Sequence, residues 1–540
     1  MLPGPGVECE TMSPPSLPPL EWIYPVCRVL LGARRWARIL PQCREPSFLS
    51  TLLEDYGKSR GVPPFIADLA RLEWAVHEVE ETELPSRSSL DMLIANPALR
   101  LVPLKWKNLT VWMNDDRAAW DTVKRGNEIV LAWKSASGGA VTSRKATTED
   151  LLVLKMTIEG ISPEVAADKG NLPVGAVDQA ILRAVEQGIL LSPPSRIRRD
   201  PAVFGTRVPE EYLASPVFTL QWHITQACDL SCRHCYDRSR RSPLKMPTAL
   251  RVLDELRQFC RKRFVSGQVT FTGGNPLLYP KFLELYRAAV ERGFAVVILG
   301  NPAPRPMLEK IVAIRKPAAF QVSLEGLESH NDLIRGKGQF RRVLEFLSVL
   351  RDLGIYSMVM LTLTRDNLSE VLPLAEFLRD RADSFTFNRL SRAGEGAALA
   401  LPDQGEYIRF LAEYLEAEKG NPILGLKDNL MNIFRRGSAD GLFGGCTGYG
   451  CGAAFNFLTL LPDGEIHACR KFPSFIGNIR EMSLEELYDS PSAARYREGS
   501  KACRSCPIRA VCGGCLASTY SFGRDVFTCR DPYCFIDACP

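Results

Sequence analysis

The sequence predicts an α/β protein organised around an incomplete (βα)6 TIM-like barrel, with helical and winged-helix-like segments before it and a Cys-rich domain after it. Three observations carry this reading. Between residues 216 and 430, six short runs rich in β-branched and aromatic residues alternate with amphipathic stretches, as in a parallel sheet with right-handed crossovers. The loop CDLSCRHC follows the first of those runs directly. Of the 17 cysteines, most lie after Gly445.

A length of 540 residues, 46% hydrophobic and 24% charged, fits several domains and excludes a disordered chain, a collagen repeat or a coiled coil. No apolar run approaches the ~20 residues needed to cross a bilayer. Residues 1–19 lack the basic and apolar regions of a signal peptide and read as a disordered Pro-rich tail. A net charge of +5 gives no case for nucleic acid. An odd number of cysteines without a secretory signal argues against a disulfide scaffold. Clustered thiols in a reducing cytoplasm point instead to iron–sulfur or zinc.

Residues 20–95 are expected to form a helical domain. In PPFIADLARLEWAVHEVE, Pro63 and Pro64 open a helix along which Leu69, Leu72, Val76 and Val79 recur at helical spacing. Residues 96–195 change character: 128–133 (EIVLAW) reads as a strand, Gly138 and Gly139 as a turn, and three helices follow. Thr147 or Thr148 caps the first, Ser162 the second, and the third stops at Gly188. This pattern suggests a winged helix, but residues 174–186 carry a single Arg and no Lys, a poor grip on phosphate. Residues 196–200 (RIRRD), flanked by prolines, read as a linker. The expected barrel strands are 218–224, 268–272, 295–299, 320–324, 357–364 and 385–388, with helices such as 250–263, 282–292 and 340–353 between them. In such barrels chemistry sits at the C-terminal strand ends.

Cys228, Cys232 and Cys235 form a C-x3-C-x2-C loop after the first strand. Three thiolates suit three corners of a [4Fe–4S] cube and leave one iron open. A zinc knuckle wants four ligands, and His234 is the residue available as the fourth. TFTGGNPLLYP ends the second strand, with Gly273 and Gly274 permitting close backbone approach. QVSLEGLESHNDLIRGKGQF runs out of the fourth. Here the chain resembles the radical S-adenosylmethionine (SAM) superfamily, across residues 216–430. The resemblance implies SAM bound at the open iron of the cluster and cleaved reductively to a 5′-deoxyadenosyl radical. It places Gly273, Gly274 and Asn275 beside the methionine amino group, although the usual family residue at 275 is Glu. It also makes Ser323 and Asn301 candidates for the ribose, with Asn388 and Leu390 as weaker ones. Arg335 is the candidate for the carboxylate, which its planar fork matches.

Residues 440–540 hold the remaining cysteines: Cys446, Cys451, Gly464 to Cys469, CRSCPIRAVCGGC, then Cys529, Cys534 and Cys539. This field resembles the SPASM extension, which implies two auxiliary iron–sulfur clusters of the [4Fe–4S] type. Mapped by residue, Cys446, Cys451, Cys469 and Cys515 hold one, and Cys503, Cys506, Cys512 and Cys534 the other. Cys529 is the alternative to Cys534, and Cys539 is spare. Cys515 follows Cys512 after two residues where the family has three. A zinc ribbon would need a longer gap between cysteine pairs. Related protein-oxidising enzymes carry an Asp that serves as base after the third cysteine of the first auxiliary cluster; this chain has Arg470 there, which counts against that chemistry, and no catalytic residue is assigned. Cys9, Cys27, Cys43 and Cys260 read as ordinary thiols, His223 as a packed core residue, and His77 and His467 as lacking partners.

The reading is an enzyme: a radical SAM maturase that abstracts hydrogen from a ribosomally made peptide, with cross-link or heterocycle formation following. Residues 96–195 resemble the recognition element that captures a precursor's leader by strand addition near 128–133. Within the family the architecture is similar to maturases of Cys- or selenocysteine-containing peptides that install thiazole-, oxazole- or thioether-like links. The expected partners are a precursor peptide with leader and an electron donor such as flavodoxin or ferredoxin, with no nucleic acid and no membrane. The alternatives are a radical SAM enzyme acting on a protein side chain or small molecule, and a non-catalytic Cys-rich metal-binding scaffold.

Overall fold

The computed structural model describes residues 19–538, apart from 57, 59–61, 115–121, 136–137, 205–207 and 438–440. The expected tail (residues 1–18 of it), Cys9 and Cys539 lie outside the described residues. The chain divides into two compact units, residues up to 166 with 180–193, and residues 167–179 with 194 onward.

In the first unit, helices Pro25–Ile39, Leu49–Tyr56 and Ile66–Glu81 accompany an antiparallel sheet in the order Leu99–Lys107, Lys124–Trp133, Thr142–Lys145. Alternation along Leu99–Lys107 turns Val102 and Leu104 inward, where they join Tyr24, Leu53, Leu69 and Leu72 in one core. The division expected at residue 95 therefore runs through a single core, because one face of the sheet has to be covered by the helices. Glu73 is buried there, and its carboxylate accepts the N–H groups of Val26 (2.6 Å) and Cys27 (3.1 Å) at the start of Pro25–Ile39. Burial pushes its carboxyl up to about 7. His77, expected to lack a partner, packs its ring against Trp74.

The expected docking edge at 128–133 needs correction. Val130–Trp133 pairs with Leu99–Val102 on one side and with Thr142–Lys145 on the other, so it is central. Gly138 and Gly139 lie in the hairpin connection that brings Thr142–Lys145 alongside. Thr147 rather than Thr148 caps helix Thr148–Glu159, in a capping box with Asp150.

In the second unit every expected barrel strand forms, with ends displaced by no more than two residues: β1 Val217–Thr225, β2 Ser266–Gly273, β3 Ala295–Leu299, β4 Ala319–Ser323, β5 Ser357–Leu363 and β6 Ser384–Arg389. They are parallel and adjacent in chain order, β1 to β6, with helices such as Met246–Arg263 and Gln339–Asp352 between them. β1 buries Phe218, Leu220, Trp222 and Ile224, each side chain worth about 1.5–3 kcal/mol when fully removed from water. The sheet does not end at β1. β7 (Phe457–Leu460) pairs parallel to it, Leu458 opposite Leu220, and β8 (Glu465–His467) and β9 (Phe475–Asn478) continue antiparallel. The Cys-rich region is thereby sewn into the barrel sheet, and Leu458 and Leu460 enter the barrel's own core.

Residues 196–200 also depart from expectation. Arg199 is buried and donates to the carbonyls of Tyr449 and Cys451, both at 2.8 Å, with its guanidinium 4.3 Å from the Phe455 ring centre. The segment is a strap rather than a linker, because a buried guanidinium requires acceptors and these carbonyls supply them.

Candidate active site

A cavity of about 380 Å³ opens at the C-terminal ends of the barrel strands. Cys228, Cys232 and Cys235 line it, together with Gly273, Gly274, Asn301, Ser323 and Arg335, and with Asn388 and Leu390 at the end of β6. The two glycines are dictated by the chain itself. A Cβ at Gly273 would sit 2.1 Å from the Thr225 carbonyl oxygen, and one at Gly274 2.3 Å from that of Ala227. The turn thus presses on the strand end that leads into Cys228. The N–H groups of Gly274 and Asn275 donate to the carbonyls of Thr225 (2.9 Å) and Ala227 (2.7 Å), which fixes the turn against the start of the cysteine loop.

Asn275 is the one expected SAM-binding residue that is not on the cavity wall. Its side chain is buried, donates to Asp229 (3.0 Å) and accepts from the Leu277 N–H (3.3 Å). Its place is behind the wall, because Asp229 of the cysteine loop draws the amide that way.

Arg335 is buried and donates to Glu325 (3.2 Å) and Asn301 (3.1 Å), while its Nε–H is buried without a partner. Glu325 is fully buried and accepts the Thr362 N–H at 2.8 Å; His234 Nε2 lies 3.4 Å from its other oxygen. Glu325 and Asp229 escaped the sequence reading. The signal available was an acid two residues beyond Ser323 at a strand end, and one immediately after Cys228. His223 is buried as expected, but it lines the cavity, and burial reinforced by Arg470 pushes its imidazole down to about 3.

Three thiols and a buried guanidinium with an unused N–H, on one cavity wall with the two glycines, are what a three-cysteine cluster and a methionine carboxylate require, so the residues fit.

A second cavity, about 130 Å³, is lined by Cys446, Cys451, Cys469 and Cys515, the four cysteines mapped to the first auxiliary cluster. Burial pushes Cys451 up to about 12 and Cys469 to about 11, so without metal both are neutral thiols. Lys427 shares the wall, and burial pushes it down to about 8. A third, smaller cavity is lined by Cys503, Cys506, Cys512 and Cys534; Cys529 is not on its wall. The short CGGC spacing is accommodated by Gly513 and Gly514, both left-handed (φ 62° and 66°), which let Cys512 and Cys515 face different cavities. Among the described residues no group of three or more His, Cys, Asp and Glu side chains is gathered as for a single ion.

The first two cavities share Asn388, Arg389, Arg470 and Lys471. Arg389 is buried and pairs with Asp428 (2.9 Å) and Asp531 (2.8 Å), and Asp531 accepts the Cys515 N–H at 2.8 Å. The last barrel strand is thus tied to a loop carrying a mapped cluster ligand. His467, expected to lack partners, meets Glu465 at 3.0 Å and accepts the Ser474 N–H at 3.2 Å.

Comparison with known proteins matches residues 222–378 to the radical SAM superfamily and residues 451–507 to SPASM, an iron–sulfur cluster-binding domain. The chain is 25% identical over 343 residues to an AdoMet-dependent heme synthase of Methanosarcina barkeri, covering 58% of this chain and 95% of that protein. It is 27% identical over 313 residues to the antilisterial bacteriocin subtilosin biosynthesis protein AlbA of Bacillus subtilis, covering 54% and 66%. To mycofactocin maturase MftC of Mycolicibacterium smegmatis it is 27% identical over 332 residues, covering 58% and 81%. Streptococcus suis SuiB bound to precursor peptide SuiA aligns with a TM-score of 0.49 at 17% identity, over 75% of this chain and 96% of that one. The chain carries a radical SAM domain that takes a [4Fe–4S] cluster with SAM, followed by a SPASM domain that takes auxiliary iron–sulfur clusters.

Proposed function

We propose that this protein is a radical SAM maturase that modifies a ribosomally synthesised peptide. The observation that carries the reading is the shared wall between the cavity of Cys228, Cys232 and Cys235 and the cavity of the first four SPASM cysteines. A peptide side chain held at that wall is within reach of both. The bound cluster and SAM supply a 5′-deoxyadenosyl radical there. Arg335 holds the methionine carboxylate, the carbonyls of the Gly273–Gly274 turn orient its ammonium, and Ser323 offers its hydroxyl to the ribose. The enclosing strand ends keep water from the reacting atoms.

For the auxiliary clusters we assign Cys446, Cys451, Cys469 and Cys515 to one, and Cys503, Cys506, Cys512 and Cys534 to the other. The precursor's leader docks by strand addition on the outer flank of Thr142–Lys145, since the opposite edge strand carries Pro103, which lacks a donor. Two of the relatives, the mycofactocin maturase and the subtilosin biosynthesis protein, favour a peptide. The heme synthase relative marks the small-molecule alternative, for which a strand that docks a leader has no use. No helix among the described residues is long and apolar enough to cross a membrane, and the described cysteines are all free. We place the protein in the cytoplasm, with flavodoxin or ferredoxin as electron donor.

Anaerobically reconstituted protein should hold roughly twelve irons and convert SAM to 5′-deoxyadenosine. Replacing Cys228, Cys232 and Cys235 by Ala should remove about a third of that iron and all of that product. Removing the hairpin arm, residues 138–145, should abolish capture of a neighbouring Cys-rich precursor while leaving SAM cleavage intact. Zinc-filled, iron-free protein prepared without oxygen would refute the enzyme.

A further inference from the structure

We infer that Asp229 is a positioning residue that clasps the cysteine loop to two neighbouring strand ends, and that it is the reason Asn stands at 275. The inference rests on the functional reading above, and it assigns a role to a residue that reading leaves idle. Asp229 Oδ1 accepts two amide donors, Asn275 Nδ2 at 3.0 Å and Asn301 Nδ2 at 2.6 Å, and Arg342 approaches Oδ2 at 3.4 Å. Asn275 follows β2 and Asn301 follows β3, so a single carboxylate ties the loop to both.

Neither amide is free to turn round. The Asn275 Oδ1 accepts the Leu277 N–H, and the Asn301 Oδ1 accepts from Arg335 at 3.1 Å. Each NH₂ is therefore committed to Asp229, and both side chains are buried. Position 275 requires a donor, which an ionised Glu or Asp cannot be. A carboxylate there would face the Asp229 carboxylate across a hydrogen-bond distance in a buried site, an arrangement in which like charges repel strongly.

The clasp also reaches the cofactor's cradle. Asn301 Nδ2 lies 3.6 Å from the Cys228 Sγ, and Asn301 is the acceptor that steadies Arg335. Disturbing Asp229 or Asn275 thus displaces a cysteine ligand and the candidate carboxylate ligand together, although neither residue lines the cavity.

The test is an isosteric exchange. Asn275→Asp, Asn275→Glu, Asp229→Asn and the double exchange Asp229→Asn/Asn275→Asp are compared by iron content after reconstitution, by SAM titration of the reduced-cluster EPR signal, and by thermal unfolding of the iron-free protein. The exchange leaves a single carboxylate in the site and so removes the repulsion, and that carboxylate keeps the Leu277 N–H; because both amides meet the same Oδ1 and Arg342 faces Oδ2, the amide now at 229 can serve only one of positions 275 and 301. The single Asn275→Asp and Asn275→Glu variants should bind SAM at least tenfold more weakly and unfold at lower temperature without iron. The double exchange should bind SAM more tightly, and unfold at higher temperature without iron, than Asn275→Asp alone, while staying below the parent in both. Asn275→Asp or Asn275→Glu behaving as the parent, or an exchange no better than Asn275→Asp alone, would overturn the clasp. A parent protein that holds iron but leaves its EPR signal unmoved by SAM would overturn the functional reading instead; the iron-free unfolding comparison would still decide the clasp.

Discussion

Arg389 is the residue whose removal should be felt furthest. Its guanidinium sits between Asp428 and Asp531, with a further contact from Nη1 to Asp531 at 2.9 Å and the rings of Tyr407 and Tyr533 about it. Burial alone would disfavour its charge, but the two carboxylates outweigh that and hold it protonated. Arg389→Met keeps the volume and the apolar stem and leaves two buried carboxylates without a counter-charge. Breaking a buried pair in this way typically costs about 3–5 kcal/mol. At 1.4 kcal/mol per decade that is roughly a hundredfold to a few thousandfold in the unfolding equilibrium. With a urea dependence of about 3 kcal/mol per molar, the midpoint falls by roughly 1–1.7 M. The loss should be local in its chemistry. Asp531 also holds the Cys515 N–H, so iron at the first SPASM cavity should be lost before iron at Cys228, Cys232 and Cys235. Urea titration of iron-free protein, with iron counting after reconstitution, checks both parts. Neutralising the acids as well, in Arg389→Met/Asp428→Asn/Asp531→Asn, should recover much of the stability. A parent-like midpoint in Arg389→Met, or a triple variant worse than the single one, would refute the account of Arg389 as the charge that these acids require.

Two further outcomes are expected. Arg335→Lys keeps a charge but loses the fork that serves Glu325, Asn301 and the unused Nε–H, so SAM affinity measured by EPR titration should fall roughly ten- to hundredfold while iron content stays unchanged. Glu73, raised from 4.5 to about 7 by burial, binds its proton more tightly folded than unfolded, so its contribution is fully present below about pH 4.5 and is lost as pH rises to 7. That difference corresponds to about 3 kcal/mol. Urea melts of the first unit's signal at pH 5 and pH 7.5 should show this fall, and Glu73→Gln should flatten it.

Local pattern is sufficient for much of this protein. The six barrel strands are legible because alternation between β and α runs, and the apolar residues along each, depend on neighbours a few positions away. The cysteine groups are legible because ligand spacing within a loop is a local property, and the left-handed glycines between Cys512 and Cys515 show how a shortened spacing still serves two cavities. Other features depend on which distant groups satisfy one another, and only the folded chain decides that. Val130–Trp133 reads as an edge strand until the hairpin folds Thr142–Lys145 against it. The SPASM region reads as a separate domain until β7 takes the open flank of β1, whose backbone groups would otherwise lack partners. Asn275 reads as a departure from its family until Asp229, 46 positions away, is found accepting its amide. Nothing in the local sequence singles out Arg389, whose partner Asp531 lies 142 positions away. Periodicity specifies which face of an element is apolar. The pairing of buried polar groups is specified only in three dimensions, because each must find its donor or acceptor wherever the fold has brought one.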